Sequence, residues 1–94
     1  MKKLKFKGTN CKIEMGIYSN GRQAIELVNI KTDEPVLVAT INVPNVLLKE
    51  TELIIKNYSE NEGILSVLIN ANIISQPLRY IDTGLVSSPV CKLI

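Results

Sequence analysis

The sequence predicts an α+β domain: a single small antiparallel β-sheet with one capped helix, about 60–71, packed on one face. Three observations carry that expectation. Apolar and polar residues alternate along most of the chain, the period of strands with one wet face. The apolar content is Ile, Leu and Val, with one Phe, three Tyr and no Trp, and β-branched side chains favour strands. Only Ser59-Glu60-Asn61-Glu62-Gly63, running into Ile64-Leu65-Ser66-Val67-Leu68-Ile69, has the marks of a helix start. With 94 residues, 46% of them hydrophobic, one domain over 1–94 is expected.

The elements follow in order. Lys3 to Lys7 alternates Lys-Leu-Lys-Phe-Lys, so Leu4 and Phe6 face a core and the lysines face water. Gly8-Thr9-Asn10 reads as a turn, and Cys11 to Met15 alternates again. Asn20-Gly21 suits a tight hairpin turn in which both central residues take positive φ. Gln23 to Ile30 is apolar on both faces, a more central strand. After the polar turn 31–35, Val36 to Val43 is the longest strand-like run, ended by Pro44-Asn45. Residues 46–51 connect, and Leu53-Ile54-Ile55 forms a short strand within 52–56.

In the helix, Ser59 and Glu62 have the spacing of a capping box, in which each side chain bonds the other's amide. Ile64, Leu65, Leu68, Ile69 and Ala71 form its buried face, and Asn72 is placed to end it in the left-handed conformation. Ile73-Ile74, 78–82, 85–87 and 90–93 read as extended, with Pro89 marking an edge or a break. Gly63, costly inside a helical turn, hints at close approach of another chain, strand or ligand.

Composition excludes more than it includes. Net charge is +2, too near balance to argue for nucleic acid or membrane. No apolar run approaches the roughly 20 residues needed to cross a bilayer. The basic N-terminus lacks the apolar stretch of a secretion signal, so a cytoplasmic address is expected. Cys11 and Cys91 read as small core residues rather than a disulfide or zinc pair. Histidine is absent, which removes Ser-His and Cys-His nucleophile pairs and imidazole metal ligands. No catalytic residue, metal ligand or cofactor is assigned, and the chain is read as a non-enzyme.

Candidate ligand contacts are Arg22 and Arg79, the only arginines, whose planar forks suit phosphate. Each stands near a tyrosine able to stack on a base, Tyr18 and Tyr80. Arg79 and Tyr80 are neighbours in a strand and so point to opposite faces. Tyr58 and Asn61, at the helix start, complete the set. The structural alternative for the arginines and tyrosines is ordinary surface placement; for the helix start it is self-capping. Lys2, Lys3, Lys5 and Lys7 form a basic face that serves either nucleic acid or, as lysine does on outer strands, protection against edge pairing.

Taken together, Gly8-Thr9-Asn10-Cys11-Lys12, Tyr18-Ser19-Asn20-Gly21-Arg22 with Ala24-Ile25, Ala39-Thr40-Ile41-Asn42-Val43-Pro44, Ile55 to Gly63 and Pro89-Val90-Cys91-Lys92-Leu93 resemble a family of short uncharacterised bacterial proteins. That family has no established function or catalytic residues and is typical of phages, plasmids and other mobile elements. The resemblance implies an accessory protein that counters host defence. The first expectation is a homo-oligomeric module that sequesters a nucleotide immune signal without catalysis. The alternatives are a proteinaceous inhibitor that occludes a host defence protein, and a nucleic-acid-binding accessory factor.

Overall fold

The computed structural model describes residues 3–84 and 86–94; Lys2 of the basic face and Leu85 of the expected 85–87 segment lie outside the described residues. The elements are β1 Lys3–Phe6, β2 Thr9–Ile17, β3 Gln23–Asn29, β4 Pro35–Val38, β5 Thr40–Ile41, β6 Glu52–Ile55, a 3₁₀ turn Ser59–Asn61, α1 Ile64–Asn70, β7 Arg79–Asp82 and β8 Ser87–Lys92. The strands build two antiparallel four-stranded sheets, ordered β1-β2-β3-β4 and β5-β6-β8-β7.

Two sheets replace the single one expected, and the reason lies in one residue. The run 36–43 does not stay in one ladder. At Ala39 the N–H donates to Ile25 O (2.8 Å) in the first sheet, while the carbonyl accepts from Lys56 N (2.8 Å) in the second. Thr40 completes the switch: its Oγ1 accepts from the Ile25 amide at 3.3 Å. The chain therefore leaves one sheet and enters the other without a loop.

The first sheet is a meander. Lys7 (φ 48°) and Gly8 (φ 85°) form the two-residue turn between β1 and β2, where both central residues take the positive φ such turns need. At Asn20-Gly21 only Gly21 (φ 87°) does so. Tyr18 N bonds Arg22 O (2.7 Å) and Gly21 N bonds Tyr18 O (2.9 Å), so the loop has three residues rather than the tight two expected. In the second sheet β8 is internal, although it contains Pro89. β6 pairs only with Val90, Cys91 and Lys92 of β8. That ladder stops one residue short of the proline, whose ring has no N–H to offer.

One core joins the sheets and the helix. Phe6, Cys11, Ile25 and Leu27 from the first sheet meet Leu53, Ile55 and Cys91 from the second, with Ala39 at the crossover and Ile64, Leu68, Ile73 and Ile74 closing the cluster. Cys11 and Cys91 are buried free thiols, and burial pushes the Cys91 thiol up to about 11. No helix among the described residues is long and apolar enough to cross a membrane.

The helix runs seven residues, shorter than the 60–71 expected, and its cap is a different residue. Ser59 lies at φ 56° and Gly63 at φ 96°, so the chain cannot be helical through 59–63 and no Ser59–Glu62 capping box forms. Asn57 does the capping instead: its Oδ1 accepts from the amides of Gly63 (3.1 Å) and Leu65 (3.0 Å). A Cβ built on Gly63 meets nothing within 4 Å. Glycine is there for its positive φ, not for the close approach expected. The helix end is as read: Asn72 takes φ 58°, with Asn72 N bonded to Ile69 O and Ile73 N to Leu68 O. That crossed pair, with Ile73 and Leu68 both in the core, is the Schellman arrangement.

Asn57→Ala is therefore expected to lower stability by about 1 kcal/mol, and Gly63→Ala by roughly 1–2 kcal/mol through left-handed strain. Glu62→Gln is expected to change it by less than about 0.5 kcal/mol. Urea midpoints at constant m-value measure all three.

Candidate functional site

Four of the six candidate residues spend their polar groups on the main chain of one segment. Asn61, 1% exposed, donates Nδ2 to Val38 O at 2.7 Å; its Oδ1 has no partner among the described residues. The Tyr18 hydroxyl contacts Thr40 Oγ1 (2.9 Å) and donates to Thr40 O (3.2 Å). Arg22 donates Nη1 to Val43 O at 2.7 Å and Nη2 to Val46 O. Arg79 donates Nη2 to Leu47 O at 3.1 Å. Between them Asn20 Nδ2 donates to Asn42 Oδ1 at 3.1 Å.

From Val38 to Leu47 the chain is thus held by side chains that come from the β2–β3 turn, β7 and the 3₁₀ turn. Asn61 is buried behind this segment, the Arg22 fork is spent on carbonyls, and the Arg79 side chain, 43% exposed, divides its fork between Leu47 O and the Glu52 carboxylate.

Arg79 also pairs with Glu52. Its Nη1 reaches Oε2 at 3.2 Å and its Nη2 reaches Oε1 at 3.0 Å, a two-point fork on a buried carboxylate. Oε1 accepts a third bond from the Lys49 amide at 3.0 Å, and the Glu52 amide returns one to Lys49 O at 2.9 Å. The Arg79 bonds, and next the Lys49 amide, hold the Glu52 carboxyl at about 2, well below its ordinary 4.5.

The remaining two candidates stand apart. Tyr58 is half-buried with the Lys56 ammonium 5.6 Å from its ring centroid, and Lys56 is itself paired with Glu60 at 2.5 Å. Tyr80 is 59% exposed on the outer strand β7. The structure does not bring these tyrosines to the arginines' loop as one pocket. The basic face is divided as well. Lys3 and Lys5 are exposed on the edge strand β1, but Lys7 donates to Glu60 O (3.1 Å).

What the held loop creates is a pair of open grooves on its two sides. The larger, about 450 Å³, is lined by Asn20, Gly21, Arg22, Gln23, Leu48, Lys49, Glu50 and Glu52. The smaller, about 330 Å³, lies against Leu47, Leu48, Lys49, Glu52 and Arg79. Leu48, Lys49 and Glu52 belong to both. Arg22 and Arg79 therefore do flank one locality, as the walls of grooves whose accessible polar groups are Asn20, Gln23, Lys49 and Glu50. Sequence reading passed over Gln23, Lys49 and Glu52. The available signal was Glu52, a charge opening the fully apolar run Leu53-Ile54-Ile55. Among the described residues no group of three His, Cys, Asp or Glu side chains converges to hold a metal.

Comparison of the chain with family models, with curated proteins and with solved structures finds no match.

The Glu52–Arg79 fork makes a prediction about acid. Because the folded carboxyl titrates below the unfolded one, its stabilisation is present above about pH 4.5 and is lost as pH falls toward 2. Arg79→Ala is expected to melt several degrees lower at neutral pH. Its loss of stability between about pH 4.5 and 2 should be shallower than the wild type's, since the variant lacks the main cause of the shift. Thermal melts across that range measure both; an unchanged acid slope contradicts the assignment.

Proposed function

We propose that this is a non-catalytic accessory protein of phages or related mobile elements that works in the host cytoplasm by binding and sequestering a nucleotide signal of host defence. The supporting observation is the 450 Å³ groove beside the crossover loop, within the size range of small-molecule sites. Its chemistry is that of a polar ligand. The Asn20 and Gln23 amides offer both donors and acceptors, as a base edge or ribose requires. Lys49, shared with the second groove, supplies a cation that makes no close ion pair among the described residues, although its charge also acts on the Glu52 carboxylate. The phosphate-binding role first read into Arg22 and Arg79 passes to Lys49, because both arginines are committed to carbonyls and Glu52. Glu50 at the rim disfavours a highly charged ligand, which points to few phosphates rather than a triphosphate.

A second reading, occlusion of a host defence protein, draws on exposed apolar residues of β2 beside the turn of the β2–β3 hairpin. There Met15 is 49% and Ile17 77% exposed, beside a shallow groove with Tyr18, Ala24 and Val38. Exposed apolar surface of this kind suits a protein partner.

A thermal-shift screen against linear and cyclic nucleotides separates the two. Ligand at a hundredfold over Kd adds about 2.7 kcal/mol, which in a domain of this size is a rise on the order of 10 °C. Lys49→Ala and Gln23→Ala are expected to abolish the rise without lowering the unliganded melt. No rise with any nucleotide overturns the sequestration reading. Capture of a host protein that Ile17→Asp abolishes would then favour occlusion.

A further inference from the structure

The two sheets present four outer strands, and three of them are blocked. β1 carries alternating exposed lysines, Lys3 and Lys5. β4 begins with Pro35, and its last carbonyl, Val38 O, is taken by Asn61 Nδ2. β5 has two residues and its Thr40 O is taken by the Tyr18 hydroxyl. Charge, proline, brevity and side-chain caps are how sheets prevent strand addition.

β7 has no proline and, among the described residues, no side chain on its outward main-chain groups, and its two charged residues, Arg79 and Asp82, are of opposite sign, with Arg79 turned to Glu52. Arg79, Tyr80, Ile81 and Asp82 contain no lysine or proline. Leu78 and Tyr80 are exposed large apolar residues of the strand and its lead-in. Leu47, 90% exposed, stands beside it with its carbonyl on Arg79. Thr83 N bonds Val86 O at the hairpin turn, and Leu78 N and Arg79 share Val90 as partner. By strand alternation Arg79, Ile81 and Thr83 then bond inward to β8, and the N–H and C=O of Tyr80 and Asp82 point outward. Among the described residues nothing bonds to those four groups.

We propose that β7 is a homodimerisation edge, pairing antiparallel with β7 of a second copy to make one eight-stranded sheet. A two-fold axis between antiparallel edges preserves the faces of the sheet, so the pairing centres on a residue that meets its own copy, Tyr80 or Ile81. Centring on Tyr80 sets the Asp82 carboxylate against Leu78 and calls on the Leu78 amide, already given to Val90 O at 2.8 Å. Centring on Ile81 avoids both. It sets Ile81 against Ile81 on one face and each Tyr80 phenol beside the Asp82 carboxylate of the other copy on the opposite face. The outward groups of Tyr80 and Asp82 then exchange four main-chain hydrogen bonds.

This self-complementarity is what selects a second copy over an unrelated strand. It rests on the β7 edge and not on the nucleotide reading. It also places Thr83 of the second copy opposite Arg79, at the border of the 330 Å³ groove, so each subunit's groove adjoins the seam.

The interface is short, and so a concentration-dependent dimer is expected. Sedimentation equilibrium from about 10 µM to about 1 mM should reach twice 10.4 kDa for the wild type. Tyr80→Glu, which sets a carboxylate against the Asp82 carboxylate of the other copy, and Asp82→Pro, which removes an outward N–H without touching the β8 ladder, should both remain at 10.4 kDa with the wild type's circular dichroism. Should the proline variant fail to fold, Tyr80→Glu decides alone. A wild type that stays monomeric at the highest concentration overturns the proposal, and so does a dimer that survives Tyr80→Glu.

Discussion

The structure depends on ten residues that are in neither sheet for long. Between Val38 and Leu47 the chain crosses from the first sheet to the second and then loops back toward β6, so most of its carbonyls cannot be satisfied by a neighbouring strand. Ala39 alone bonds one sheet through its N–H and the other through its C=O. Beyond it the oxygens of Val38, Thr40, Val43, Val46 and Leu47 are met by Asn61, Tyr18, Arg22 and Arg79. The bonds to Val38, Thr40, Val43 and Val46 are part-buried and the one to Leu47 is exposed; at about 0.5–1.5 kcal/mol each, the four side chains that supply them together fix how the two sheets are joined. The polar residues that look like ligand contacts are in large part the donors for this crossing.

That constraint also shapes the surface. Because the arginines hold the loop from both sides, it stands off the body of the protein and leaves a groove on either flank, both touching Lys49. The same accounting of main-chain groups explains the sheet edges. Asn61 and Tyr18 cap carbonyls of β4 and β5 while they tether the crossover, and with lysines along β1 this leaves β7 as the least protected edge. Loop, grooves and open edge are consequences of one problem in backbone satisfaction.

Local chemistry was legible in the sequence where it acts over a few residues. Leu4 and Phe6 face inward against the exposed Lys3 and Lys5, Ile64 and Leu68 reach the core, and Asn72 ends the helix. Two local signals misled for identifiable reasons. Ser59 and Glu62 have capping-box spacing, yet the left-handed Ser59 and Gly63 turn the chain so that Asn57, farther upstream, reaches the free amides. Val36 to Val43 reads as one run because Val36-Leu37-Val38-Ala39 is apolar throughout and no glycine, proline or turn residue marks Ala39, where the chain changes sheets. The arginine roles were illegible because their partners lie 21 to 32 residues away and, the Glu52 carboxylate apart, are carbonyls, which no side-chain pattern announces.

Hydrogen exchange of the 42–51 segment in Arg22→Ala, compared with the wild type, tests most directly whether side chains hold the crossover in place. Loss of the two Arg22 bonds should speed exchange in this segment, at the Val46 amide bonded to Val43 O and the Lys49 amide bonded to Glu52, and at the adjoining Glu52 amide bonded to Lys49 O, while β2 and β3 keep their protection. Exchange in 42–51 that is unchanged by the substitution would contradict the account, because the loop would then be held by something other than the arginine.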